Sequence, residues 1–300
     1  MDQVMPETIN PPARIAVIGL GNMGIPMALC LGRAGFEVAA FDVSESARER
    51  FTDAGGKVAA SAEAAVTKAA VVVTLLPDGK IVRAALEPLR DKIQRGAAVL
   101  EMSSSDPIGT QALGESFIKA GVDFIDAPVS GGVKRAVDGT LSIMAGGDPT
   151  TIDRVGPVLS AMGRTVFRTG KLGSGHAMKA LNNYVSAAGL VAAVEATMIG
   201  EKFGIDPQLI ADTLNASTGR NNTTEVKLKQ FIISRTFGAG FPLKLMAKDV
   251  RTADNLAHAM KVASPLADFC ADLWDEASRT LDDKADHTAI GLHIEKLQSR

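Results

Sequence analysis

Between Arg14 and Gly24 the chain reads RIAVIGLGNMG, and this stretch restricts the possible folds more than any other. A short apolar run, Ile15-Ala16-Val17-Ile18, predicts a buried strand. Glycines follow at positions 19, 21 and 24, and Ile25 to Leu31 has the apolar spacing of a helix. Strand, G-x-G-x-x-G and helix, in that order, is the context in which the pattern carries meaning. Gly19 permits a tight turn, Gly21 lets a pyrophosphate approach the backbone, and Gly24 lets helix and strand pack closely. The turn, with Leu20, Asn22 and Met23 between its glycines, then presents the free N–H groups of the helix start to the phosphates of a dinucleotide. A second apolar run, Val38-Ala39-Ala40-Phe41, ends at Asp42, about twenty residues further on. A carboxylate there accepts hydrogen bonds from an adenosine ribose and repels a 2′-phosphate. Two like charges about 4 Å apart at an effective dielectric near 20 cost roughly 4 kcal/mol, so the pattern favours NAD over NADP. The competing use of Asp42 is as a turn cap before Ser44 opens the next helix.

Length and charge set the outer limits. The 300 residues suffice for two domains with a large core, and 46% of them are hydrophobic. A net charge of −2, with Lys and Arg dispersed, excludes a general attraction to nucleic acid or an anionic membrane. Cys30 and Cys270 lie far apart and lack a C-x-x-C partner, so both read as buried thiols rather than zinc ligands or a disulfide. Residues 1–12 read as a loose polar extension without the features of a secretory or transit peptide, which points to the cytoplasm. The apolar stretch from Ala180 to Ile199 carries Asn182, Asn183 and Glu195, so it reads as a buried helix of a water-soluble protein and not as a membrane span.

The first half alternates. Strand-like runs at 15–18, 38–41, 71–76, 97–100, 124–125 and 141–145 are separated by helix-like segments such as 44–53, 62–69 and 106–120. This predicts a parallel sheet covered on both faces, with ligands bound beyond the C-terminal strand ends. Those ends carry Gly19–Gly24, Asp42, Leu75-Leu76-Pro77-Asp78, Glu101 to Ser104, and Ala127 to Gly132. After Gly173-Ser174-Gly175 the chain reads as long helices, interrupted at 204–207, 238–242 and 265. The expected architecture is α/β: a Rossmann-type dinucleotide-binding domain over 13–170, then an all-α domain over 171–300, with the site in the cleft between them. The helix from His176 to about Phe203 is apolar nearly all round, which predicts burial in the interdomain core or under a second subunit.

That helix carries Lys179 and Asn183, four residues apart and on one face. A moderately desolvated lysine titrates closer to neutrality and can act as an acid or base; the alternative is a first-turn lysine that snorkels to water. An Asn one turn on can hold a substrate hydroxyl or carboxylate. Ser130-Gly131-Gly132 follows a strand and can form an anion-binding concavity, or be an ordinary turn. Lys248-Asp249 reads either as a surface ion pair or as charged neighbours meeting the cleft. His176 is one of only four histidines, with no ligand cluster nearby, and reads as a polar helix-start residue. Trp274 and Phe269 read as core or interface packing.

Taken together, IGLGNMGIPMA (18–28), DAPVSGGV (126–133), GSGHAMKALNN (173–183) and LMAKDV (245–250) resemble the β-hydroxyacid dehydrogenase family, which includes 3-hydroxyisobutyrate dehydrogenase and tartronate semialdehyde reductase. The resemblance spans almost the whole chain in order. It implies NAD(P)-dependent oxidation of a short hydroxy acid or reduction of its aldehyde or keto partner; the largely apolar helix of the second half separately predicts a homo-oligomer (dimer or tetramer). It implies Lys179 as catalytic acid/base, Asn183 as the residue orienting the substrate, and Ser130, Gly131 and Gly132 as carboxylate holders. It also implies Lys248 at the cofactor side supported by Asp249, and Leu76, Pro77 and Ser104 at cofactor-contacting positions, with Ser104 where the family often has Thr.

Substrate identity stays open. Lys134-Arg135 follows the anion loop where many relatives carry small or neutral residues, and these cations either face solvent or favour a second acidic group. Ser217 to Thr224, with Arg220 and Asn222, is rich in donors and lacks the aromatic residue and long insertion often seen in 3-hydroxyisobutyrate dehydrogenases. Two other classes are a reductase of imines, disfavoured by Lys179, and a non-catalytic dinucleotide sensor, disfavoured by the pairing of an acid/base candidate with an anion loop.

Overall fold

The computed structural model describes residues 7–297. The chain divides into two compact units, the first running through Lys179 and the second from Ala180. Residues 1–6 of the expected extension lie outside the described range. From there the chain is docked, because Ile9 is buried and its N–H donates to the Arg154 carbonyl at 2.8 Å.

The first unit is built on one eight-stranded sheet: β1 (Arg14–Ile18), β2 (Glu37–Phe41), β3 (Val71–Thr74), β4 (Ala98–Glu101), β5 (Asp123–Asp126), β6 (Val129–Ser130), β7 (Leu141–Gly146) and β8 (Gly163–Gly170). The order is β2-β1-β3-β4-β5-β7-β6, with β8 on the other edge of β7. β2 to β5 pair in parallel through β1, as the alternation of strands and helices predicts. The expected parallel sheet is departed from at β7, which runs antiparallel to β5 and β6. Only the short helix Gly132–Asp138 separates β6 from β7, too little chain for a parallel crossover. β8 escapes sequence reading because Arg164, Thr165 and Arg168 are exposed along it and it shows no buried apolar run.

Successive side chains of each central strand face opposite sides, so two cores form. Ile15, Val17, Val71, Val73 and Leu100 join Met27 and Leu31 on one face. Ala16, Ile18, Val72 and Val99 join Leu113, Phe117 and Phe124 on the other. β3 and β4 are buried throughout, which is why they read as unbroken apolar runs. Each fully buried Val, Leu, Ile or Phe contributes about 1.5–3 kcal/mol, so the strand ends are held on a rigid base.

The second unit contains helices Pro207–Ala216, Leu243–Ala259, Pro265–Thr280 and Ile290–Leu297 together with most of the helix Ser174–Phe203. No strand occurs among its described residues. The breaks fall where glycine and proline predict them: Gly204 adopts φ +99°, and Asp206 caps the helix that begins at Pro207. Leu190, Val194, Met246, Val250, Cys270, Trp274 and Ile290 form its core. Trp274 is a core residue as expected, whereas Phe269 is 57% exposed and is no part of the core. The long helix is not buried all round either. Ala187, Leu190, Val191 and Val194 are covered, but Val185, Ile199 and Phe203 face outward.

Candidate active site

The glycine turn follows β1 and leads into the helix Gly24–Arg33. Its three glycines serve different ends. Gly19 adopts φ +106°, and a Cβ there would sit 2.3 Å from the Leu75 carbonyl oxygen. A Cβ on Gly24 would sit 2.1 Å from the Gly19 carbonyl oxygen. Both positions are closed by the protein's own backbone. A Cβ on Gly21 would meet nothing within 4 Å. The space over Gly21 therefore belongs to no part of the chain, which is the cradle a pyrophosphate requires. The helix start has no side-chain cap and no acidic residue in its first turn, leaving its donors and its partial positive charge for an anion. The residues present fit a dinucleotide.

β1 lies between β2 and β3, so Asp42 and Leu75-Leu76 flank the turn. Asp42 Oδ2 accepts the Leu20 N–H at 2.7 Å and its Oδ1 accepts the Ser44 N–H at 2.8 Å. The carboxylate thus caps the following turn, as one of its two expected uses requires, and is also drawn onto the glycine loop. Leu76 is half-buried and Pro77 exposed beside it. The Leu76 N–H donates to Ser103 Oγ at 2.9 Å, which joins the end of β3 to the segment carrying half-buried Ser104.

Ser130 closes β6, paired with Ser142 of β7. Gly131 and Gly132 follow at φ +135° and +70°, conformations that favour glycine, and the helix they begin has no side-chain cap. Arg135 folds back along this helix, its Cδ 2.6 Å from the point a Gly131 Cβ would occupy. The exposed Lys134 and Arg135 thus differ, since the stem of Arg135 lies against Gly131. Arg220, in the donor-rich segment, lies 3.6 Å from Glu225 in an exposed ion pair.

Lys179 is half-buried on the helix Ser174–Phe203. Asn183, one turn on, is buried, and its Nδ2 donates to Asp249 Oδ2 at 2.6 Å. Asp249 is buried as well, and its Oδ1 lies 3.1 Å from Lys248 Nζ. One carboxylate therefore holds both the amide and the ammonium, and Lys248-Asp249 is not a surface ion pair.

The partners of His176 are not legible in the sequence. It lies in the first turn of the helix Ser174–Phe203, as expected, but is wholly buried, with Nε2 2.9 Å from Glu101 Oε2 and Nδ1 3.0 Å from Thr110 Oγ1. Asp126, also wholly buried, accepts the N–H groups of Gly173 and His176 at 2.7 and 2.8 Å and so caps the long helix from a distant strand. Burial alone would raise the Glu101 carboxyl, but the His176 cation and the Ser103 hydrogen bonds outweigh it and hold Glu101 below its ordinary range. Burial likewise opposes the His176 charge, yet Glu101 and Asp126 raise its pKa. Burial raises Asp126 against the pull of the same histidine. The available signal was two acids, Glu101 and Asp126, each ending a buried strand.

Residues 14–170 match the sequence family described as the NAD binding domain of 6-phosphogluconate dehydrogenase. Residues 173–293 match that described as NAD-binding of NADP-dependent 3-hydroxyisobutyrate dehydrogenase. The 2-(hydroxymethyl)glutarate dehydrogenase of Eubacterium barkeri is 31% identical over 265 residues, 87% of this chain and 88% of that protein. The NAD-dependent L-serine dehydrogenase of Pseudomonas aeruginosa is 34% identical over 270 residues, 87% of this chain and 91% of its own length. The structure of Mycobacterium tuberculosis 3-hydroxyisobutyrate dehydrogenase with L-serine superposes with a TM-score of 0.88 at 31% identity, covering 94% of this chain and 99% of that one. With both halves matched in order, on a dinucleotide-binding turn and the sheet that carries it, the chain belongs to the β-hydroxyacid dehydrogenase family of NAD(P)-dependent oxidoreductases.

Proposed function

We propose that this protein transfers a hydride between NAD and a short β-hydroxy acid, or its semialdehyde, with Lys179 as the proton-transfer group. The carrying observation is the turn at Gly19–Gly24, open over Gly21 alone, with Asp42 drawn onto it. Gly19 to Gly24, Asp42, Leu76, Pro77 and Ser104 hold the cofactor, which supplies the hydride acceptor. Ser130, Gly131 and Gly132 hold the substrate carboxylate through convergent donors. Lys179 Nζ takes the hydroxyl proton during oxidation and returns it during reduction. Asn183 orients the hydroxyl: one amide hydrogen is committed to Asp249, which leaves the other for substrate. Lys248, held by Asp249, adds positive charge near the cofactor.

On substrate class, Arg135 over the anion loop favours an acid with a second anionic group, and a relative named for a hydroxymethylated glutarate, a dicarboxylate, supports this. The chain works as a homo-oligomer, dimer or tetramer, in the cytoplasm. Val185, Ile199 and Phe203, exposed along one helix, support the first statement, and the free buried thiols Cys30 and Cys270 support the second. No helix among the described residues is long and apolar enough to cross a membrane.

The test is nicotinamide reduction by the purified protein with NAD and NADP separately. The panel comprises 3-hydroxyisobutyrate, serine, glycerate, threonate, and dicarboxylic and sulfonated hydroxy acids. Lysine-dependent turnover with NAD supports the reading; tight NAD binding without turnover on any member refutes it in favour of a sensor.

A further inference from the structure

We propose that His176 is a positioning residue, which locks the first turn of the helix bearing Lys179 to the strand end that leads into Ser104. The proposal rests on the reading of Lys179 as the acid/base.

The protonation of His176 follows from its partners. Thr110 Oγ1 already donates to the Asp106 carbonyl at 2.9 Å, so toward His176 Nδ1, 3.0 Å away, it accepts. Nε2 faces Glu101 Oε2 at 2.9 Å, a close ion contact set off the hydrogen-bond axis. Both neighbours are acceptors, so a hydrogen on each ring nitrogen, and with it a cation enclosed by protein, is the state the geometry favours.

From this cation a continuous chain of contacts runs to the cofactor side. Glu101 Oε1 accepts the Ser103 N–H at 2.8 Å, and Ser103 Oγ accepts the Leu76 N–H at 2.9 Å. On the helix side, Asp126 holds the N–H groups of Gly173 and His176. Gly175 is jammed against the sheet, for a Cβ there would sit 2.2 Å from the Met144 carbonyl oxygen and 2.8 Å from Asp126 Oδ2. The start of the helix thus has one allowed seat, and Lys179 projects less than one turn beyond His176. A fully desolvated ion pair is a poor way to gain stability compared with apolar packing. It is a good way to define one geometry, because tilting the turn would strand a buried charge. Reaction rates are sensitive to such tilts, with about 1 Å of misplacement costing about 100-fold.

The experiment compares H176Q, E101Q and the uncharged pair E101Q/H176Q with wild type and Lys179→Ala. It measures melting temperature, NAD affinity, kcat and KM for the hydroxy acid, and the pH profile of kcat for oxidation. H176Q should lose about tenfold or more in kcat at nearly unchanged KM and NAD affinity. The double variant should recover much of that loss, because no charge is left stranded. Titratable groups facing the ring are Glu101 from β4 and Asp126 from β5. Wild type should therefore lose kcat on the alkaline side as His176 deprotonates, and the double variant should lack that limb. A merely structural role lowers the melting temperature and leaves kcat per folded enzyme unchanged. H176Q within about threefold of wild type would overturn the proposal. Should H176Q not fold, superimposable pH profiles of wild type and E101Q/H176Q would do the same. Wild-type turnover by Lys179→Ala instead refutes the acid/base reading, an outcome separate from any effect of His176.

Discussion

The Leu20 N–H and Asp42 Oδ2 lie 2.7 Å apart, so the glycine turn and the carboxylate that follows β2 form one unit. Asp42→Asn keeps an acceptor for Leu20 and removes the charge. It should narrow the preference for NAD over NADP by about tenfold to a hundredfold, the screened part of a like-charge repulsion of about 4 kcal/mol. Steady-state kcat/KM for the two cofactors measures this. An unchanged ratio would show that Asp42 only caps its turn.

Glycines 21 and 24 separate folding from binding. Gly24→Ala drives a methyl group to 2.1 Å from backbone and should destabilise the protein by about 1–3 kcal/mol or more, seen as a lower melting temperature. Gly21→Ala meets open space and should melt like wild type, yet bind NAD more weakly. Calorimetric NAD binding beside thermal melts of both variants decides the matter; equal NAD affinity for Gly21→Ala and wild type would move the pyrophosphate elsewhere.

Lys179→Ala should reduce kcat by about 10²- to 10⁴-fold, the usual worth of a general acid or base, while NAD affinity stays near that of wild type. Partial rescue by small primary amines would place the loss at the proton-transfer step.

Arg135→Gln should lower kcat/KM for hydroxy acids with a second anionic group and leave monocarboxylic ones unaffected. The loss should be about tenfold to a hundredfold, as for a partly exposed charge-assisted contact. Equal effects on both classes would assign Arg135 to loop stability instead.

The buried ion pair shapes stability against pH from both sides. Glu101 is held below its unfolded pKa, so its contribution is complete above the ordinary carboxylate range and is lost as pH falls through the lowered folded value. His176 is held above its unfolded pKa, so its contribution is complete below about 6.5 and is lost as pH rises through the raised folded value. Asp126, raised by burial, subtracts stability as pH climbs past the carboxylate range and so lowers the plateau. Urea unfolding across pH should show E101Q/H176Q with a flatter profile than wild type on the alkaline side. Parallel profiles would mean that His176 is neutral in the folded protein.

Much of this protein is determined by local sequence. Apolar strands of alternating face, a glycine turn whose spacing serves backbone geometry, and Asp42 at the next strand end specify the cofactor half, because each depends on contacts between near neighbours or adjacent strands. Gly204, Asp206 and Pro207 mark a helix boundary for the same reason. What the tertiary structure decided involves partners far apart in the chain. Asp249 holds Asn183 from 66 positions away, and Asp126 caps a helix 50 positions on. His176 reads only as a polar helix-start residue in sequence, because nothing local to it reports the carboxylate of Glu101 or the hydroxyl of Thr110. A buried charge is stable only where folding brings its counter-charge within reach, and that distance is set by the packing of the sheet against the helices.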